Sequence, residues 1–219
     1  MMLWKRYKRI FKAKEDYQKE LLESSFINKF KALIRLQEKA LFFDKVKYKF
    51  NESFSFSKII FILEDMIKNN VIEDYALGGA TALLNYSTPH LTEDIDIFID
   101  VKQSGLLVNL SKIYSFLVDK YDAKIKSEYL IIQGNPIQFL LPGDSLTQEA
   151  FENYSVVSIQ GKKLHIFSLE YLIAIMLNLN KAKYRERLRI VKEENKFDEK
   201  VLFKILQKYK LIDKWNLIK

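Results

Sequence analysis

Polar and apolar residues alternate in the segment DIDIFID, which begins at Asp94, with Phe98 as the single exception. Successive side chains of a strand point to opposite faces, so this alternation predicts a strand with Ile95, Ile97 and Ile99 buried on one face. Asp94 and Asp96 then share the other face. Two carboxylates this close repel each other unless a cation lies between them, and hard oxygen ligands of this kind suit Mg²⁺. The segment therefore predicts a metal site on a half-buried strand.

A pair of glycines lies upstream of this strand, between a short apolar run at residues 75–77 and a helical pattern at residues 80–86. Glycine allows the backbone to approach a ligand closely, and the exposed N–H groups at the start of a helix attract anions. Gly78 and Gly79 are therefore candidate phosphate-binding residues. Two plainer interpretations stay open, because a Gly-Gly turn often only separates a strand from a helix and an Asp-x-Asp strand is often a solvated edge. The two features together are more specific, since one binds phosphate and the other a metal.

The combined pattern resembles the nucleotidyltransferase superfamily, whose signature is Gly-Gly or Gly-Ser, a helical spacer and an Asp-hydrophobic-Asp strand. The spacer here, residues 80–93, is slightly long for the superfamily and fits the AbiEii-like toxins and their bacterial relatives better. Those proteins typically read Gly-Gly-x-Ala-Leu and then Pro-Arg-x-Thr-x-Asp-Ile-Asp. This chain reads PHLTEDID from Pro89, so His90 stands where an arginine is common. The resemblance spans roughly residues 74–189.

A second part of the resemblance lies nearer the C-terminus. The AbiEii-like proteins commonly carry a helix that opens like Ser-Leu-Glu-Tyr-Leu, as this chain does from Ser168, followed by a segment like Arg-Pro-Lys-Asp-Arg-x-Arg. In the cation-rich run at residues 181–189, Lys183 matches the lysine of that segment and Tyr184 replaces its aspartate. A charge run of this kind is also typical of a solvated helix face, so both interpretations of Lys183 stay open.

The resemblance implies a role for each site residue. The superfamily takes a third carboxylate from a strand next to the Asp-x-Asp strand, and by order this position falls at Gln138, which has no charge and cannot act as a base. The metal ligands are then Asp94 and Asp96. The residues expected to be catalytic are Asp94, Asp96, Gln138 and Lys183. The residues expected to bind the nucleotide are Gly78, Gly79, Thr81, Thr92 and Lys183.

The composition excludes several classes of protein. The 219 residues include no cysteine, which removes disulfides, thiolate catalysis and cysteine-based zinc sites together and fits a reducing cytoplasm. The two histidines are too few for a histidine-rich metal site. The longest apolar runs fall well short of the ~20 residues that a membrane span needs. We therefore expect a cytoplasmic protein that does not insert into the membrane.

Charge is distributed unevenly along the chain, whose formal net charge is +8. Residues 1–56 carry a net charge of +7, residues 57–165 carry −5 and residues 166–219 carry +6. Two basic segments thus flank an acidic middle that contains the aspartate pair. This is the pattern expected of an enzyme that acts on RNA, because basic surfaces attract the phosphate backbone. Lysine-rich, solvated helix faces would give the same pattern.

Strand and helix patterns are mixed in the middle of the chain, which predicts an α+β fold. We expect a nucleotidyltransferase-type core with a small mixed β-sheet at residues 57–165, including a helix from Gly105 to about Lys120. Residues 1–56 and 166–219 show helical periodicity and are each too short for an independent core, so we predict that they pack together as one helical bundle.

The leading expectation is a Mg²⁺-dependent enzyme that moves a nucleoside monophosphate from an NTP to an acceptor hydroxyl. The AbiEii-like resemblance implies a toxin of a toxin–antitoxin or abortive-infection system, with an RNA such as tRNA as acceptor and an antitoxin protein as partner. Two alternatives stay open. One is a catalytically weak or inactive protein of this fold that binds nucleotide or RNA. The other is a transferase that modifies a protein.

Overall fold

The computed structural model of the chain describes residues 2–43, 46, 50, 55–101 and 110–218, with the backbone alone for residues 2–11. Its strands are Asp74–Leu77 (β1), Ile95–Asp100 (β2), Lys124–Lys126 (β3), Tyr129–Ile132 (β4), Asn135–Leu140 (β5), Ser155–Ile159 (β6) and Lys162–Ile166 (β7). They form one sheet in the order β3-β4-β5-β2-β1-β7-β6. The pairs β1–β7 and β2–β5 are parallel, and the other pairs are antiparallel. The predicted α+β class with a mixed sheet is confirmed.

The helices of the described residues are Met2–Glu23 (α1), Phe26–Phe42 (α2), Phe56–Lys68 (α3), Gly79–Leu83 (α4), Ser111–Tyr121 (α5), Ser145–Glu152 (α6), Leu169–Leu179 (α7), Ala182–Glu194 (α8), Glu199–Lys208 (α9) and Ile212–Asn216 (α10). Residues 105–109 of the helix predicted from Gly105 lie outside the described residues, and α5 begins at Ser111, after Leu110 as its N-cap. No helix in the described ranges is both long and apolar enough to cross a lipid bilayer.

The alternation in β2 gives the sheet two different faces. Ile95, Ile97 and Ile99 are fully buried, as predicted. Phe98 lies on the face of Asp96, where its ring packs on that of Phe167 with the centroids 4.7 Å apart. Residues of α4 and α7 line a pocket together with the side chains of this second face. These two helices therefore cover the sheet where the aspartates lie.

The N-terminal segment contacts the core through aromatic side chains of α2. The Phe56 ring at the start of α3 meets the rings of Phe26 and Phe30 edge-on, with centroids 4.8 and 4.7 Å away. An ion pair joins Glu23 in α1 to Lys196 after α8, with Oε1 and Nζ 2.5 Å apart. The division of the chain into three segments and the bundle of its two ends stay predictions.

Candidate active site

The strands on either side of β2 bring three of the predicted site residues into one row across the sheet. On one side β5 runs parallel to β2, with Asp96 opposite Gln138. On the other side the Gly78 N–H donates to the carbonyl oxygen of Asp96 at 3.0 Å, which extends the pairing of β1 with β2. Continuing the β4–β5 register by one residue places Tyr129 beyond Gln138. Side chains paired across a sheet point to the same face, so Asp96, Gln138 and Tyr129 are neighbours.

The glycine pair lies directly against the side chains of β2. A Cβ on Gly79 would lie 1.8 Å from Oδ2 of Asp96, and Gly79 has a φ of +57°. A Cβ on Gly78 would lie 2.5 Å from Cε2 of Phe98. The two glycines therefore let the start of α4 approach the aspartate strand more closely than any other residue would allow.

The backbone donors at this turn are divided between the sheet and α4. The N–H of Gly78 is used by the Asp96 carbonyl, and the N–H of Ala82 donates to the Gly78 carbonyl at 3.0 Å. The donors between them belong to the first turn of α4, where a helix provides no internal acceptor. A phosphate at this turn would therefore meet the N–H groups that follow Gly78, from Gly79 onward.

Two threonine hydroxyls hold Asp94 at the entrance to β2. Thr92 Oγ1 donates to Oδ1 of Asp94 at 2.9 Å, and Thr81 Oγ1 donates to the Asp94 carbonyl oxygen at 3.3 Å. Thr81 is fully buried. Both threonines are predicted nucleotide-binding residues, and the structure shows that they orient the aspartate segment. Their contact with a nucleotide stays a prediction.

The surroundings of Asp96 disfavour its ionised form. Burial raises the pKa of Asp96 to about 7, and the charge of Asp94 adds to this effect. The positive charges of Lys183, Arg187 and Lys181 act in the opposite direction. A carboxyl in such surroundings gains from a cation beside it, because the cation stabilises the ionised form.

The donor set at this point fits Mg²⁺. Asp94 and Asp96 offer two carboxylates on one face of β2, and Gln138 offers a carboxamide oxygen in the same row. Mg²⁺ typically binds one or two carboxylates and keeps other positions for water and substrate phosphates. In the described part of the chain, no three His, Cys, Asp or Glu side chains are grouped so as to hold a metal ion. The candidate metal site therefore has two carboxylates, those of Asp94 and Asp96, and Gln138 does not add a third.

A pocket of about 120 Å³ opens beside Asp96, between the sheet, α4, α7 and α8. Asp96 and Arg187 are the charged side chains in its lining. Most of the remaining wall is apolar or aromatic and includes Phe98, Phe167 and Tyr184. A few polar groups converging in apolar surroundings are typical of small-molecule sites.

Arg187 is a site residue that the sequence placed only within a charge run. Its side chain is 8% exposed, and Nη2 donates to the carbonyl oxygen of Leu91 at 2.6 Å. Burial lowers the pKa of Arg187, while the nearby Tyr184 and Asp96 oppose this effect. Helical spacing could have identified Arg187 as a buried residue, because it lies with Leu188 on the buried face of α8.

Lys183 lies on the exposed side of the first turn of α8. Its Nζ is 5.4 Å from the ring centroid of Tyr184, and its charge lowers the pKa of Asp96. Lys183 is therefore within electrostatic range of the aspartates. Its contact with a triphosphate stays a prediction.

His90 occupies a buried position in the segment before β2. Its Nε2 lies 3.0 Å from the hydroxyl oxygen of Ser87. Burial lowers the pKa of His90 to about 3, and the charge of Arg187 adds to this. The cation next to this segment is Arg187, which belongs to α8.

Comparison with known proteins gives weak likenesses to solved structures, two of which are as follows. No protein-family profile matches the chain, and no curated protein matches it. An antigenic nucleotidyltransferase-like protein from Paracoccidioides brasiliensis aligns with a TM-score of 0.45 and 15% identity, over 73% of this chain and 91% of that one. A Thermotoga maritima protein described as a candidate nucleotidyltransferase aligns with a TM-score of 0.38 and 18% identity, over 64% of this chain and 94% of that one.

Proposed function

We propose that the protein is a Mg²⁺-dependent nucleotidyltransferase that moves a nucleoside monophosphate from an NTP to an acceptor hydroxyl. One observation carries the proposal, namely that the Gly79 turn lies directly against the carboxylate of Asp96. This contact brings the N–H donors of a helix start and the carboxylates of β2 to the same point of the sheet. Phosphate and a divalent cation bind to these two kinds of group, and an NTP substrate presents both together.

In this reaction the acceptor oxygen bonds to the α-phosphorus, the bond from that phosphorus to the bridging β-phosphate oxygen breaks, and pyrophosphate leaves. Mg²⁺, when bound, supplies neutralisation of the phosphate oxygens and activation of the acceptor hydroxyl. Asp94 and Asp96 would hold it. The N–H groups from Gly79 onward and the ammonium of Lys183 would bind the β- and γ-phosphates. Gln138 cannot accept the hydroxyl proton, which passes to solvent.

The test is transfer of label from α-³²P-NTP to total RNA or total protein. We expect transfer by the wild-type chain with Mg²⁺ and none with EDTA. Asp94→Asn and Asp96→Asn should abolish transfer, because each removes half of the metal-binding charge. Asp100→Asn is the matched control, since Asp100 lies at the exposed end of the same strand. Unchanged transfer by both site variants would contradict the metal-site assignment.

We propose RNA as the acceptor, on the basis of the charges around the pocket. The side chains of Lys181, Lys183 and Arg185 are exposed at the start of α8, beside the pocket that contains Asp96. A polyanion bound along them would reach the aspartates at the edge of the pocket. The label assay separates the acceptors, because labelled RNA supports this proposal and labelled protein alone contradicts it.

The AbiEii-like motifs support a narrower proposal, a toxin of a toxin–antitoxin or abortive-infection system with a tRNA-like acceptor and an antitoxin partner. Growth arrest on expression, lost in Asp96→Asn, is the expected result. Label in a tRNA-sized band would identify the acceptor. Normal growth at high expression of the wild-type chain would contradict the toxin role.

A second candidate function is nucleotide or RNA binding without transfer. Gln138 at the position of the third carboxylate favours it, because a glutamine neither adds charge to a metal site nor accepts a proton. Binding of Mg²⁺–NTP with no label transfer to RNA or protein would establish this function in place of the first.

A further inference from the structure

Two buried side chains hold neighbouring backbone carbonyls in the segment that leads into β2. Gln37 Nε2 donates to the carbonyl oxygen of Thr92 at 2.8 Å. Arg187 Nη2 donates to the carbonyl oxygen of Leu91 at 2.6 Å. Gln37 belongs to α2 and Arg187 to α8. Helices α2 and α8 therefore both contact the residues that immediately precede Asp94 and β2.

The carboxamide of Gln37 is used at both ends. Its Oε1 accepts from the N–H of Phe50 at 2.8 Å, while its Nε2 donates to Thr92. The residue is fully buried. Since one partner is a donor and the other an acceptor, the amide has one satisfied orientation, and a buried amide that lost either partner would be destabilised. The position of the Thr92 carbonyl is thus tied to that of α2.

Thr92 passes this constraint to the carboxylate of Asp94. Its carbonyl is held by Gln37, and its hydroxyl donates to Oδ1 of Asp94 at 2.9 Å. Partners that orient a metal ligand through a hydrogen bond typically change metal affinity by about 10- to 100-fold when they are removed. We propose that Gln37 is a positioning residue that holds the Asp94 carboxylate in place through Thr92. This rests on the proposed function, because it takes Asp94 to be a metal ligand.

The experiment titrates Mn²⁺, as a paramagnetic substitute for Mg²⁺, into the full chain and follows the free ion by EPR. Thermal unfolding is measured on the same samples. Gln37→Met, which keeps the length of the side chain and removes both hydrogen bonds, is expected to weaken Mn²⁺ binding by up to about ten-fold, the lower end of the range for a direct partner. Leu33→Ala is the matched control. Leu33 is fully buried on the same helix, so its truncation should lower the Tm and leave Mn²⁺ affinity unchanged.

A double-mutant cycle tests the route through Thr92. Thr92→Val should weaken Mn²⁺ binding, because it removes the hydroxyl that holds Asp94. If Gln37 acts through Thr92, adding Gln37→Met to Thr92→Val should cause little further loss. If the fold-losses of Mn²⁺ affinity in the two single variants multiply in the double variant, the proposal is overturned. If Gln37→Met does not fold, Gln37→Glu measured at pH 8 serves instead, since its ionised carboxylate keeps an acceptor for the Phe50 N–H and has no donor for Thr92.

The outcomes separate the inference from the function on which it rests. Equal Mn²⁺ binding by the wild-type chain and Asp94→Asn would overturn the metal site and the inference together. Loss of binding in Asp94→Asn with full binding in Gln37→Met would overturn the inference alone. A lower Tm in Gln37→Met with unchanged affinity would show that Gln37 only supports the fold.

Discussion

Gly79 faces the carboxylate of Asp96 so closely that a Cβ at position 79 would lie 1.8 Å from Oδ2. The glycine turn and the Asp96 carboxylate are therefore in direct contact. Glycine at position 79 leaves the space that the Asp96 side chain occupies, and the donors of the turn lie beside that side chain.

Gly79→Ala should reduce the free energy of unfolding by more than Gly161→Ala does. Both glycines have positive φ, +57° and +78°, so each alanine incurs a backbone cost of about 1–2 kcal/mol. At Gly161 no atom lies within 4 Å of an added Cβ, whereas at Gly79 the Asp96 side chain must move. Urea unfolding of the two variants checks this. Equal losses would show that the contact with Asp96 adds no constraint.

Asp96→Asn should stabilise the chain in EDTA at pH 8. Because the pKa of Asp96 in the fold is raised to about 7 from an ordinary value of 3.8, the protonated form favours folding. This stability is present below about pH 4 and is lost as the pH rises through 7. The variant should therefore gain on the order of 4 kcal/mol at pH 8 and little at pH 4. Thermal unfolding at both values checks this, and a gain that is the same at both would contradict the assignment.

His90→Gln should make the fold less sensitive to acid. The pKa of His90 is lowered to about 3 from an ordinary 6.5, so the neutral ring favours folding. That stability is present above pH 6.5 and falls by about 1.4 kcal/mol per pH unit below it. The wild-type chain should lose stability more steeply than the variant between pH 6 and pH 4. Unfolding by urea at each pH measures the difference, and parallel curves would argue against a buried neutral His90.

Glu substitutions at Lys181, Lys183 and Arg185 should weaken RNA binding and flatten its salt dependence. Wild-type affinity should lie in the micromolar range, with a log–log slope near −0.7 per phosphate contacted on single strands. Only Lys183→Glu should also weaken NTP binding. Arg189→Glu is the control, because Arg189 is already paired with two glutamates of its own helix. Arg187 is left out of the set, since it is buried and its reversal would disturb the fold.

Fluorescence anisotropy of labelled single-stranded RNA over a range of salt concentrations measures this slope. RNA binding that does not depend on salt, or no binding at low salt, would contradict RNA as the acceptor. A protein or small-molecule acceptor would then be the better interpretation.

Much of the site follows from local patterns. The alternation that begins at Asp94 was enough to predict β2 and its buried isoleucines, because the period of a strand is a property of its own residues. The place of Gln138 beside Asp96 came from the resemblance, and the structure puts the two in register. Gln37 lies on the buried face of α2 together with Phe30, Leu33 and Ile34.

Sequence periodicity determined which residues share a face of a strand or helix. The closeness of the glycine turn to the aspartates was expected only from the resemblance, and the distant partners of each side chain depend on the tertiary structure. Gln37 meets Thr92 across 55 residues, and Arg187 meets Leu91 across 96. Periodicity orients a side chain relative to its own helix and carries no information about which distant carbonyl lies opposite. That depends on how α2 and α8 pack around the sheet, where burying the apolar stripe of each helix also carries one polar side chain inward to meet the backbone before β2.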